Sequence, residues 1–101
     1  MSEYGVTQRP KRKPTHPGEI LKEDVLPAMH ETVTSFAKRV GMSRQSIHAI
    51  LAEKRSITPE VALRIGAVVG NGGRVWLAMQ MEHDLWKAEQ AMHDELTAIA
   101  A

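Results

Sequence analysis

Two helix-forming segments meet with only Gly41, Met42 and Ser43 between them, and this joint constrains the chain more than any other feature. Upstream, Thr32 is a residue type that caps a helix N-terminus. Phe36, Ala37 and Val40 then recur at helical spacing as far as Gly41, which can take the left-handed conformation that ends a helix. Downstream, Ser43 is again a capping residue, and Ile47, Ile50 and Leu51 share one face of a helix predicted over 44–53. A joint this short forces the two axes to cross steeply. Close crossing needs a small residue at the contact, a turn residue without Cβ strain and a β-branched plug from the second helix. Ala37, Gly41 and Ile47 supply these in turn, with Val40 and Ile50 completing the apolar wedge. The unit so defined is a helix-turn-helix, and its alternative is a plain αα-hairpin within a bundle.

The rest of the chain supports an all-α frame around that unit. From His16 the pattern becomes helical: Pro17 suits a first helical position, Glu19 complements the macrodipole, and Ile20, Leu21 and Val25 recur at helix spacing until Pro27 stops or bends the segment. Thr58, Pro59 and Glu60 open a fourth helix that runs through Val61, Leu63, Ile65, Val68 and Val69 to Gly70. Asn71, Gly72 and Gly73 make a break, and a long last helix is predicted from about Arg74 to Leu96. No run alternates with period two and no repeat is present, so the expectation is an all-α, five-helix domain over 16–101. Residues 1–15, basic and nearly without apolar side chains, read as a mobile arm.

The last helix carries a separate message. Leu77, Met81, Leu85, Ala88, Met92, Leu96 and Ile99 form a stripe at nearly the heptad period, with Trp76, Met79 and Trp86 beside it. The wide part is expected to bury against the body of the domain. The narrow part past Trp86 extends beyond a small core and calls for a partner, so Trp86, Met92, Leu96 and the region of helices four and five are expected at the contact of a homodimer.

Charge narrows the function. The total is +1, yet residues 38–64 hold Lys38, Arg39, Arg44, Lys54, Arg55 and Arg64 against Glu53 and Glu60. The segments 17–37 and 65–101 are acidic, and 1–16 is basic through Arg9, Lys11, Arg12 and Lys13. A near-neutral sum thus conceals a basic middle where a polyanion would bind. The chain has no cysteine, which excludes a disulfide framework, a thiolate nucleophile and a Cys-rich zinc site. Four aromatic residues are too few for a base-stacking platform of the single-strand type. The five histidines show no i, i+4 metal-binding pair. No phosphate loop or nucleophile elbow is present, so neither metal, cofactor nor catalysis is expected. No apolar run approaches the roughly 20 residues of a membrane span and the N-terminus lacks an apolar signal core, which points to the cytoplasm.

With Ile47, Ile50 and Leu51 turned inward, the 100° step of the helix points Gln45, Ala49 and Ala52 outward, with Ser46 and His48 on the flanks. Arg44 and Gln45 occupy the first turn, the part of such a helix that reaches base edges. Bidentate contacts from Arg to guanine and Gln to adenine are what these side chains make in a major groove. Ala49 permits close approach to a thymine methyl, while Ser43, Ser46, Lys54 and Arg55 are candidates for phosphate contacts. The candidate DNA-binding set is therefore Ser43, Arg44, Gln45, Ser46, His48, Ala49, Lys54 and Arg55.

The stretch SFAKRVGMSRQSIHAILAEKRSITPEVALRI resembles the phage-repressor-like (XRE/Cro) helix-turn-helix family. HPGEIL at His16–Leu21, KRSITPEVALRI at Lys54–Ile65 and WLAMQ at Trp76–Gln80 together resemble the HigA-type antitoxins of toxin–antitoxin modules. The resemblance covers about residues 16–90. It departs from the family pattern at Val33, where a polar residue is usual, and at Gly72-Gly73, where Ser-Pro is common. It implies a homodimer that binds a palindromic, double-stranded operator in its own promoter and neutralises a HigB-type ribosome-dependent mRNA endonuclease. The alternatives are a stand-alone repressor of phage or plasmid type and an adaptor that keeps the fold for protein contacts alone.

Overall fold

The computed structural model describes residues 13–101, in which six helices and no strand are found. The arm expected over 1–15 lies almost wholly outside the described residues. Helix α1 spans 17–29, α2 Val33–Val40, α3 Arg44–Leu51, α4 Pro59–Val69, α5 Gly73–Ala91 and α6 His93–Ala100. The core is built where α1 to α5 converge: Leu21, Phe36, Ile47, Ile50, Ile65 and Trp76 are almost fully buried, with Ala37, Val40, Ile57, Val61 and Ala62 around them.

Each helix of the body starts on the residue its chemistry favours. His16 caps α1, its Nδ1 accepting the Gly18 N–H at 2.9 Å. Thr32 and Ser35 form a reciprocal capping box at the start of α2, with the Ser35 hydroxyl in the place of the more usual Glu. Ser43 accepts from Ser46 N–H at 3.0 Å to start α3, and Thr58 does the same for α4 from Val61 N–H at 3.3 Å. Gly41 closes α2 at φ 72°.

Three features differ from the sequence reading. First, Pro27 does not stop α1. The backbone between Leu21 and Val25 widens to a π-helical turn, with the Leu26 N–H bonded to the Leu21 carbonyl, and helix continues through Pro27 to Met29. Proline lacks the N–H of an α-helical bond and its ring crowds the carbonyl four residues back; the wider turn relieves both constraints. Secondly, α3 ends at Leu51, not 53. Lys54 N–H reaches the Ala49 carbonyl at 2.8 Å and Glu53 N–H the Ile50 carbonyl at 3.0 Å, the two bonds of a Schellman motif, with Glu53 at φ 62° in the place where glycine is usual.

Thirdly, the last helix is both broken and differently oriented. Met92 at φ −107°, ψ 14° separates α5 from α6. Beyond Ala91 no side chain is buried, so no packing enforces continuity, and Asp94 and Glu95 favour a fresh N-terminus. On α5 the residues that face the body are Trp76, Gln80 and His83, flanked by Met79 and Trp86. The heptad-like stripe expected to bury in its wide part turns outward instead: Leu77 is half-buried, Met81 is 57% exposed and Leu85 38%.

Helices α4 and α5 touch through glycines. A Cβ on Gly66 would lie 2.1 Å from the Gly72 carbonyl carbon, and one on Gly73 would lie 3.0 Å from the Leu63 backbone. The Gly72-Gly73 pair therefore brings the backbones together at the joint, although Gly72 offers no side-chain cap to α5. The described residues extend over 51 × 23 × 22 Å because α5 and α6 project past the body.

Candidate nucleic-acid interface

The face left outward by α3 is set by what the helix buries. Ile47 and Ile50 are wholly inaccessible and Leu51 nearly so, which fixes the rotation of the helix about its axis. Arg44, Gln45 and His48 are exposed as a consequence, along with the capping Ser43, while Ser46 and Ala49 are half-buried. Ala52, Lys54 and Arg55 continue the exposed surface past the helix end. All eight residues singled out from the sequence lie on or next to this one helix. Its far end is held by α1: a Cβ on Gly18 would sit 1.9 Å from the Ile50 carbonyl oxygen, so the α1 backbone rests directly on the last turn of α3.

A hydrogen-bonded network ties the N-terminus of α3 to the loop that follows it. The Ser43 hydroxyl lies 2.9 Å from that of Ser46, and the Arg55 guanidinium donates to the Ser46 Oγ at 2.6 Å. Arg55 is thus folded back onto the first turn of α3, with its guanidinium on Ser46. The serine hydroxyls, taken from sequence as phosphate donors, are engaged within the chain.

Three side chains that sequence reasoning passed over hold this arrangement. Arg64 on α4 donates to the carbonyls of Val40 at 3.0 Å and Gly41 at 3.4 Å, satisfying the C-terminus of α2 where a cation is favoured, and pairs with Glu60 at 3.2 Å. In the sequence it counts only as one more positive charge. Glu31 accepts from Ser35 and Arg39, and these bonds hold its carboxyl below the usual range. Gln80 is buried and its Oε1 accepts the Ile57 N–H at 2.8 Å, anchoring the end of the 52–58 loop to α5. Helical spacing showed where Gln80 falls, but its polarity argued for the outer face.

A second constellation lies beneath α1. His16 and His83 are buried with their rings edge to face, 4.9 Å between centroids and 80° between planes. Burial, and next the neighbouring His83, lower the His16 pKa from its ordinary 6.5; Glu53 and Asp84 oppose this. Neither nitrogen of His83 has a hydrogen-bond partner, and its Nδ1 is 3.6 Å from Asp84 Oδ1. Among the described residues no three His, Cys, Asp or Glu side chains are grouped to hold a metal ion, and no helix is long and apolar enough to cross a membrane.

Two packed helices joined by Gly41, Met42 and Ser43, the second with a polar outer face and a basic loop at its end, define a helix-turn-helix DNA-binding protein. No protein-family profile matches the chain. It is 41% identical over 75 residues to virulence-associated protein I of Dichelobacter nodosus, covering 74% of this chain and 69% of the relative. To antitoxin HigA-1 of Vibrio cholerae it is 30% identical over 88 residues, covering 87% of this chain and 83% of that protein. Among solved structures, antitoxin HigA of Pseudomonas aeruginosa with the higBA promoter superposes with a TM-score of 0.79 at 27% identity, over 83% of this chain and 91% of that one. The chain belongs to the HigA family of helix-turn-helix antitoxins, which are regulators and not enzymes.

Proposed function

We propose that the protein binds, as a homodimer, a palindromic operator in its own promoter and neutralises a HigB-type mRNA endonuclease, acting in the cytoplasm through residues 16–101. The observation that carries this reading is the α3 face: Arg44, Gln45 and His48 exposed together on a helix whose rotation is fixed by buried Ile47 and Ile50. Arg44 and Gln45 read base edges in the major groove, Ala49 allows close approach, and Lys54, Arg55 and the Ser43–Ser46 turn lie against phosphates.

One helix-turn-helix spans only a few base pairs, so specific affinity requires two, presented to successive major grooves roughly 34 Å apart. The dimer contact falls on the outward stripe of α5 and on the projecting end of the chain, where half-buried Trp86 stands at the edge of the body-facing side, with Met92 and Leu96 beyond it. An open, mainly apolar groove of about 420 Å³ between Leu63, Leu77, Ala78 and Met81 extends it onto α4. Titration of the promoter duplex tests the DNA reading: Arg44→Ala and Gln45→Ala should each cost roughly 1–3 kcal/mol and relax preference at one base pair. Wild-type affinity in both would sink the assignment of α3. Co-expression with the neighbouring gene product tests neutralisation. Growth that is not restored favours a stand-alone repressor.

A further inference from the structure

We propose that Gln80 is a positioning residue for DNA binding: its buried amide sets the place of the 52–58 loop and thereby of Lys54 and Arg55 at the phosphate backbone. The inference rests on the operator-binding reading above and deepens it.

The main chain of the loop is fixed at its two ends, and the Arg55 side chain adds a tie to Ser46 on α3. At its start, the Schellman bonds of Glu53 and Lys54 tie it to the end of α3. At its end, the Ile57 side chain is buried and the Ile57 N–H donates to Gln80 Oε1 at 2.8 Å. Between these points Lys54, Arg55 and Ser56 are exposed, and packing does not hold their backbone. The course of the main chain from Lys54 to Ile57 therefore depends on both of its ends, and Gln80 holds the second of them.

Gln80 is suited to this in a way that its neighbours in chemistry are not. It is 3% exposed, and while Oε1 accepts from Ile57, its Nε2 donates to Asp84 Oδ1 at 3.0 Å, so both ends of the amide are used and the flip is fixed. An apolar residue of similar length would fill the volume but leave the Ile57 N–H unsatisfied in the core, where water cannot replace the missing acceptor. A glutamate would keep the acceptor but oppose Asp84. Gln80 thus links α5 to a loop on the DNA side, 23 residues away in sequence.

The test is operator binding by the full chain, followed by fluorescence anisotropy over a series of salt concentrations, with thermal melts alongside. Gln80→Met should weaken binding about tenfold at physiological salt and reduce the salt slope by roughly 1–2, a step of about 0.9 for every phosphate that the loop no longer neutralises. Adding Lys54→Ala to Gln80→Met should then change little, although Lys54→Ala weakens the wild-type chain. Gln80→Glu, which retains the acceptor for Ile57 but opposes Asp84, should bring the slope part of the way back to the wild-type value. A purely structural role predicts a lower melting temperature with an unchanged slope, and that result overturns the proposal. Should Gln80→Met melt below the assay temperature, Gln80→Asn, one methylene too short to reach Ile57, carries the same comparison with the same two outcomes. A wild-type-like Lys54→Ala removes the loop from the DNA contact and the proposal with it. A weakened Lys54→Ala beside a wild-type Gln80→Met overturns the proposal alone.

Discussion

His16 shows how one side chain can serve local geometry and still make the fold sensitive to pH. Its Nδ1 must be unprotonated to accept the Gly18 N–H, and its ring lies buried against His83. Both facts disfavour the imidazolium, so the pKa in the fold is below that of the unfolded chain. The unfolded chain therefore takes up the proton first as pH falls past about 6.5, and stability declines from there toward the folded-state pKa. Denaturant melts at pH 7.5 and 5.5 should show this loss, and His16→Asn, which keeps a capping acceptor, should show less of it; equal slopes in the two proteins would remove His16 as the source. Glu53 offers the converse case, a residue ill matched to its place. At φ 62° it occupies a position that glycine fills without Cβ strain, so Glu53→Gly should stabilise the fold by roughly 0.5–1 kcal/mol, read as a rise in melting temperature. Neither His16 as a cap nor Glu53 as a helix stop could be read from the sequence. Histidine is a rare cap, and a left-handed glutamate gives no compositional sign.

Among the elements, the capped ones were legible and the last was not. Thr32, Ser43 and Thr58 each begin a helix in the structure as their hydroxyls predict, and Gly41 and Gly70 each end one. On α5 the hydrophobic period gave the wrong inner face, because the body has buried Gln80 and His83, whose polar atoms are used or shielded there, and left Met81 and Leu85 outside. Apolar periodicity finds a helix's inner face only when the body buries apolar side chains and leaves polar ones outside. Met81→Glu should accordingly leave the helical circular-dichroism signal intact, since the side chain is 57% exposed in the isolated chain, and convert a dimer to a monomer by light scattering. A dimer that persists moves the contact off this stripe. The α4–α5 joint predicts the opposite pattern. Gly66→Ala drives a methyl group into the Gly72 backbone and should destabilise the fold by roughly 1–3 kcal/mol, measured by denaturant melts, although it takes away no side chain.

Across the whole molecule, the order of parts along the chain corresponds to a division of roles. The body of α1 to α4 presents α3 on one face, and α5 and α6 carry unsatisfied apolar surface outward along the 51 Å length. The helix-turn-helix was legible at this scale because each of Ala37, Gly41 and Ile47 answers a separate steric demand, and all three are where that demand exists: Ala37 and Ile47 buried, Gly41 left-handed. Long-range couplings such as Gln80 to Ile57 or Arg64 to Val40 were not, since they join residues more than 20 positions apart and leave no periodic trace.

Where Gly18 meets the Ile50 carbonyl and Gly66 meets Gly72, backbone lies on backbone with no side chain between. Interfaces made of interlocking side chains can drift, one substitution compensating another, and the helix axes drift with them. A contact made of main chain has no such freedom, because every mutation at the glycine adds volume and none at the facing residue can remove any. The seat of α3 against α1 is consequently set by main chain, while Arg44, Gln45 and His48 are exposed and can be replaced without disturbing it. On the proposed reading of α3, such a scaffold can acquire a new DNA sequence preference in a few exposed substitutions without a change of shape.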